Sequence, residues 1–134
     1  MFVTRAGRHD KADLQEFVSA QRGEEVDTSR GSAMIAREGA IVGCVRIVEV
    51  ETNTLVYDDL LIANHKDRAT TKQLVQAAMN NKGGSIFTAA DPADEPGLFE
   101  LGFAEIDFDE APEPIRSYFA EHAPKEGTRY LRAR

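Results

Sequence analysis

Residues 32–62 read SAMIAREGAIVGCVRIVEVETNTLVYDDLLI. Apolar, β-branched runs interrupted twice by turn residues predict three consecutive antiparallel strands here. Ser32 to Arg37 pairs with Ile41 to Val50 across Glu38-Gly39, a tight turn. Glu51-Thr52-Asn53 makes a second turn, and Thr54 to Ile62 completes a meander. The second strand, Ile41 to Val50, is rich in β-branched residues (Ile41, Val42, Val45, Ile47, Val48 and Val50), which favour a pleated, well-covered surface.

Upstream of the meander, residues 2–6 suit a short strand. Leu14, Phe17 and Val18 recur at helical spacing, which predicts a helix over about residues 11–21. Asp10 stands as its N-cap, with Asp13 three positions on in the manner of a capping box. Residues 22–31 are polar and read as a loop or a broken short helix. Downstream, Lys66 to Asn81 reads as a loop and a helix, with Leu74, Val75, Ala78 and Met79 on one face. Lys82-Gly83-Gly84 ends it.

Ser85 to Ala89 is a short apolar strand, so strand, helix and strand follow in the order of a right-handed parallel crossover. Asp91 to Pro96 turns into a brief helix, which Leu98 to Phe103 closes. A strand near Ala104 to Phe108, a helix over Glu113 to His122 and a strand over Thr128 to Ala133 complete the chain. The expected order is β-α-βββ-α-β-α-β-α-β. That is an α/β (α+β) fold: a mixed, mostly antiparallel central sheet flanked by helices. The 134 residues suit a single domain spanning 1–134.

Charge narrows the function. The net charge is −7 and the pI near 5.0, so no basic face for nucleic acid or an anionic membrane is expected. No run approaches the ~18 apolar residues of a membrane span, and the first residues lack the apolar run of a signal peptide. The single Cys44 has no partner for an internal disulfide, which suits a cytoplasmic setting. His9, His65 and His122 have no second ligand at metal spacing, so no metal site is expected. Cys44, inside Val-Gly-Cys-Val, reads as a core thiol.

The element order resembles the GNAT superfamily of acyl-CoA N-acyltransferases over nearly the whole chain. Residues 36–43, AREGAIVG, look like the family's common hairpin. Residues 59–66, DLLIANHK, followed by Leu74-Val75, resemble its fourth strand running into the acyl-CoA loop and helix. Leu101-Gly102-Phe103 looks like the Leu-Gly-Phe after the family's fourth helix. The second half, through residues 105–112 (EIDFDEAP) and Tyr130-Leu131, is similar to N-acetylglutamate synthase-like GNAT domains. The resemblance implies acetyl-CoA as cosubstrate and a small amine or amino acid as acceptor. Transfer would be direct, in a ternary complex. It also implies dimerisation through exposed strand edges or contact with a protein partner.

In that family a glycine-containing loop opens a helix, and backbone N–H groups with the helix dipole hold the pyrophosphate. Here the corresponding stretch is Lys66-Asp67-Arg68-Ala69-Thr70-Thr71-Lys72, which contains no glycine. Ala69 and Thr71 fall where two glycines would sit, and Lys66 where the first arginine would. Two readings stand. In one, Lys66, Arg68 and Lys72 supply cations while Thr70 and Thr71 donate N–H and hydroxyl groups, with Leu61 and Ile62 on the strand side of the cofactor. In the other, Asp67 or Thr70 caps the helix, the cations are solvated, and the chain is an inactive regulatory or protein-binding module.

The family's tyrosine acid would lie about four residues before Gly102, where this chain has Leu98. Tyr57, Tyr118 and Tyr130 are the available phenols, with Tyr118 the candidate carried forward. Asp58 and Asp59 are candidate bases. Adjacent strand residues point to opposite faces, so one of the two is expected to face the cleft. Glu24 and Glu25, in the loop after the first helix, are candidates for binding a cationic amine.

Overall fold

The computed structural model describes all 134 residues. The elements are β1 (Phe2–Arg5), α1 (Lys11–Arg22), β2 (Ser32–Glu38), β3 (Ala40–Glu51), β4 (Thr54–Ile62), α2 (Ala69–Asn81), β5 (Ser85–Ala90), α3 (Glu95–Glu100), β6 (Ala104–Glu105), α4 (Glu113–Glu121) and β7 (Arg129–Ala133). The strands form one sheet in the order β1-β2-β3-β4-β5-β7-β6. Every neighbouring pair is antiparallel except β4 with β5, which run parallel. The expected order of elements is observed. Gly39, alone between β2 and β3, has φ +77°, a conformation that favours glycine and makes the hairpin tight.

Alternation along the central strands puts helices on both faces. Leu55 and Tyr57 of β4 join Leu74, Val75, Ala78 and Met79 of α2 and Leu98 of α3 in the largest core. Val56 and Phe87 face the other way, against Ile115, Tyr118 and Phe119 of α4. On that second face, Ile35 and Cys44 meet Leu14 and Val18 of α1. So α2 and α3 cover one face, and α1 and α4 the other. No helix is long and apolar enough to cross a membrane.

Two local expectations are corrected. Asp10 occupies the N-cap position of α1, but its carboxylate makes no cap bond to that helix. It turns back to accept from the Gly7 N–H at 2.7 Å and from Arg37 at 2.8 Å, closing a 3-10 turn over Arg8–Asp10. The strand expected over Ala104 to Phe108 stops at Glu105. Phe108–Glu110 coils instead into a 3-10 turn, with the Phe108 ring against Tyr130. The alternation of Glu105-Ile106-Asp107-Phe108 imitates a strand, but the pairing with β7 ends after Ala104 opposite Arg132 and Glu105 opposite Leu131, with one further bond from the Ile106 N–H to the Tyr130 carbonyl at 2.9 Å.

Candidate active site

The site begins where β4 leaves β5. Their parallel ladder runs from Thr54 opposite Ser85 to Tyr57 opposite Thr88 and ends there. At the last rung the Thr88 hydroxyl donates to the Tyr57 carbonyl at 2.8 Å. Beyond it, Asp58–Ile62 has no partner in β5, so the edge of β4 that would face β5 is left unpaired over these residues. β4 stays attached to β3 along this stretch, through Gly43 opposite Ile62 and Cys44 opposite Leu61, with a register shift between Cys44 and Arg46. Asp59 sits at that irregularity with φ +48°, unusual for a residue with a side chain.

This bulge overturns the expected alternation of Asp58 and Asp59. Instead of pointing to opposite faces, both carboxylates reach the same arginine: Arg22 Nε bonds Asp59, and Arg22 Nη2 lies 3.6 Å from Asp58 Oδ1. The left-handed step at Asp59 breaks the period-two geometry on which the expectation rested. Arg46, buried in β3, completes the arrangement. Its Nη1 donates to Asp59 Oδ2 at 2.7 Å and its Nη2 to the Arg30 carbonyl at 2.8 Å, while its Nε is buried without a partner.

Of the three tyrosines, Tyr118 reaches this cluster. From α4 its hydroxyl donates to Asp58 Oδ2 at 2.6 Å. Burial, then the Asp58 charge, push the phenol well above its usual pKa. The His122 ring stacks on it at 4.3 Å, and the Arg30 guanidinium lies 5.5 Å from its centroid. Tyr57 belongs to the α2-side core, where its buried hydroxyl has no partner and burial pushes its pKa up to about 12. Tyr130 packs against Phe108 and Phe119. Leu98 is buried in the main core. The Cys44 thiol donates to the Asp59 carbonyl at 3.2 Å, and burial followed by the Asp59 charge push it up, which keeps it an unreactive core thiol.

At the outer end of this unpaired edge, the loop after β4 leads into α2. Asp67 Oδ1 accepts the first helical N–H, that of Ala69, at 3.0 Å. Each cation of the loop and the first turn of α2 has a carboxylate partner from elsewhere in the chain. Lys66 bonds Glu38 of the β2–β3 hairpin. Arg68 meets Asp94 at 3.1 Å and Lys72 meets Glu100 of α3 at 2.6 Å. Thr70 and Thr71 are buried, and the Thr71 hydroxyl donates to the same Asp94 oxygen, at 3.1 Å. Burial raises the Asp94 carboxyl, although Arg68 and Thr71 both pull it down.

Glu24 and Glu25 are exposed, and Glu25 lines a shallow cavity of about 570 Å³ with Lys11, Gln15, Glu16 and Ser19 of α1. No contact joins either to Asp58. His9, His65 and His122 are exposed, and no group of three or more His, Cys, Asp or Glu gathers as metal ligands. Sequence reasoning missed Arg22, Arg30 and Arg46. Arg46 carried a signal: one charge inside the apolar run Cys44-Val45-Arg46-Ile47-Val48 has to find a partner across the sheet.

No family model matches the chain, and no curated protein matches it in sequence. Solved structures do match. N-acetylglutamate synthase from Neisseria gonorrhoeae, crystallised with coenzyme A and L-arginine, superposes with a TM-score of 0.68 at 19% identity over 99% of this chain. The chain spans about a third of that enzyme's length, 33%. A GNAT-family acetyltransferase from Staphylococcus aureus Mu50 gives 0.66 at 16% identity, covering 98% of this chain and 97% of its own. ElaA of Escherichia coli gives 0.71 at 9% identity, covering 99% of each chain. This chain therefore has the GNAT fold, as the order of its elements implied.

Proposed function

We propose that this chain is an acyl-CoA-dependent N-acyltransferase that transfers an acetyl group directly to a small amine or amino acid. The observation that carries the reading is the end of the β4–β5 pairing after Tyr57, with Asp58 and Tyr118 hydrogen-bonded where it stops. A strand edge without a partner offers main-chain N–H and C=O groups to an extended ligand. Leu61 and Ile62 lie on that edge. Lys66, Arg68, Ala69, Thr70, Thr71 and Lys72 border its outer end. Similarity to acetyltransferase structures, one holding coenzyme A, supports the same donor.

In the proposed reaction the neutral amine attacks the thioester carbonyl carbon, the C–S bond breaks, and the proton lost by nitrogen balances the one gained by sulfur. Asp58 is the candidate base and Tyr118 the candidate acid. Their shared hydrogen bond lets Asp58 return the amine proton to Tyr118 after Tyr118 has protonated the thiolate. Asp59, enclosed by Arg22 and Arg46, is a positioning residue that holds the bulge.

A specific observation favours a second reading, a binding module without turnover. Asp67 caps the first N–H of α2, and Lys66, Arg68 and Lys72 are all paired with carboxylates. One experiment separates the two. Acetyl-CoA at about 100 times its Kd raises stability by about 2.7 kcal/mol if it binds only the native chain. The enzyme reading expects that thermal shift together with turnover on a panel of amines. It also expects Tyr118→Phe to lower kcat about 100-fold or more with the shift retained. A shift without turnover supports the module, and no shift at millimolar acetyl-CoA removes the enzyme.

A further inference from the structure

The unpaired β4 edge and the loop beyond it differ in chemistry, and only one of them is open for a ligand. Along Asp58–Ile62, the β4 edge that would face β5 has no ladder partner. Such an edge recognises an extended chain of amides, the chemistry of a pantetheine arm with its two secondary amides. At the other end, the groups that would hold a pyrophosphate are already engaged. Lys66, Arg68 and Lys72 are neutralised by Glu38, Asp94 and Glu100. The Ala69 N–H is taken by Asp67, and the Thr71 hydroxyl by Asp94. Thr70 and Thr71 are buried, so neither hydroxyl is offered to a phosphate in solvent.

The bridges also tie α3 down. Arg68 and Thr71 hold Asp94, which immediately precedes α3, and Lys72 holds Glu100 at its far end. A pyrophosphate entering here meets Asp67, Asp94 and Glu100 as like charges and has to displace them from their cations. The net charge of −7 adds no long-range attraction for a polyanion.

We propose that this chain recognises its acyl donor through the pantetheine arm and draws no affinity from the nucleotide's phosphates. The proposal rests on the acyltransferase reading above and names the donor class within it: an acylated pantetheine, whatever anchors its far end.

The test measures dissociation constants of the full chain for acetyl-CoA, S-acetylpantetheine and adenosine 3′,5′-bisphosphate by calorimetry. The two thioesters are expected to bind within about threefold of each other, with adenosine bisphosphate undetected. Acetyl-CoA affinity should hold steady as salt rises from about 50 to about 300 mM, because no phosphate–cation pairs form. Glu38→Gln and Glu100→Gln remove exposed carboxylates, and Asp94→Asn keeps its side chain's shape. Together they are expected to tighten acetyl-CoA at least about fivefold and leave S-acetylpantetheine unchanged. Acetyl-CoA binding more than about 30-fold tighter than S-acetylpantetheine in the parent chain overturns the proposal and leaves the acyltransferase reading intact. Tightening of both ligands alike in the triple variant overturns it as well. Binding of neither thioester removes both. An acetylated acyl carrier protein as a further ligand tells whether a carrier or the free coenzyme presents the arm, and productive use of either satisfies the proposal.

Discussion

The bulge of β4 and the loop that follows it both gather opposite charges, and they do so in opposite ways. At the bulge, Arg46 and Asp59 are almost fully enclosed, with side chains 7% and 4% exposed, and Arg22, Asp58, Tyr118 and the Arg30 carbonyl are knitted to them. Just past the loop, Lys72 of α2 and Glu100 of α3 meet singly and in solvent, with side chains 47% and 63% exposed. A buried network shares partners, so losing one member strands the rest. An exposed pair is screened by water and salt, so losing it costs the fold little. One end of the unpaired edge is thus built to hold a shape, the other to keep charges occupied.

The largest effect should come from the bulge. Arg46→Met leaves Asp59 with Arg22 as its only cation and is expected to cost about 3–5 kcal/mol in a urea titration. A loss below about 1 kcal/mol would make the bulge no better built than the surface pairs. Between the two regimes stands Asp94, a buried carboxyl serving the loop. Burial raises its pKa, so the stability it contributes is full below its ordinary pKa and is lost as pH rises through its folded value. Asp94→Asn removes that dependence, so thermal scans should show the parent losing ground to the variant as pH rises above about 4, the ordinary aspartate pKa. A difference that stays constant over that rise would place Asp94 with the solvated pairs. The smallest effect belongs to Glu38→Gln. Lys66 holds the Glu38 carboxyl below its usual range, but the pair is exposed, so the melting temperature at moderate salt should match the parent's. A clear drop that salt does not erase would show the hairpin and loop to be locked together.

The strands and helices were legible because their signals are local. Leu74, Val75, Ala78 and Met79 mark one face of α2, and Gly39 marks the hairpin, whatever the rest of the chain does. The candidate site was legible only in part. Asp58 and Tyr118 could be named separately, but they are 60 residues apart, and their contact depends on α4 docking beneath β4. The positive φ at Asp59 has no local signature, since it comes from a register shift against β3 and is held by arginines from α1 and β3. The loop cations were visible, but their partners lie 26 to 28 residues away, and charge counting along the chain does not pair them.

The short ladder between β4 and β5 also divides the molecule mechanically. Four rungs, Thr54–Tyr57 against Ser85–Thr88, are all the main-chain pairing between the strands before residue 63 and those after residue 84. The sheet is two smaller sheets joined along a seam, with α2 as the covalent tether. Side chains bridge that seam on both faces, Leu55 and Tyr57 with Ile86 and Leu98 on one and Val56 with Phe87 and Ile115 on the other, so opening the rungs also has to part those contacts. In hydrogen-exchange terms, amides along the seam should open together, sooner than those in the long β2–β3 and β3–β4 ladders.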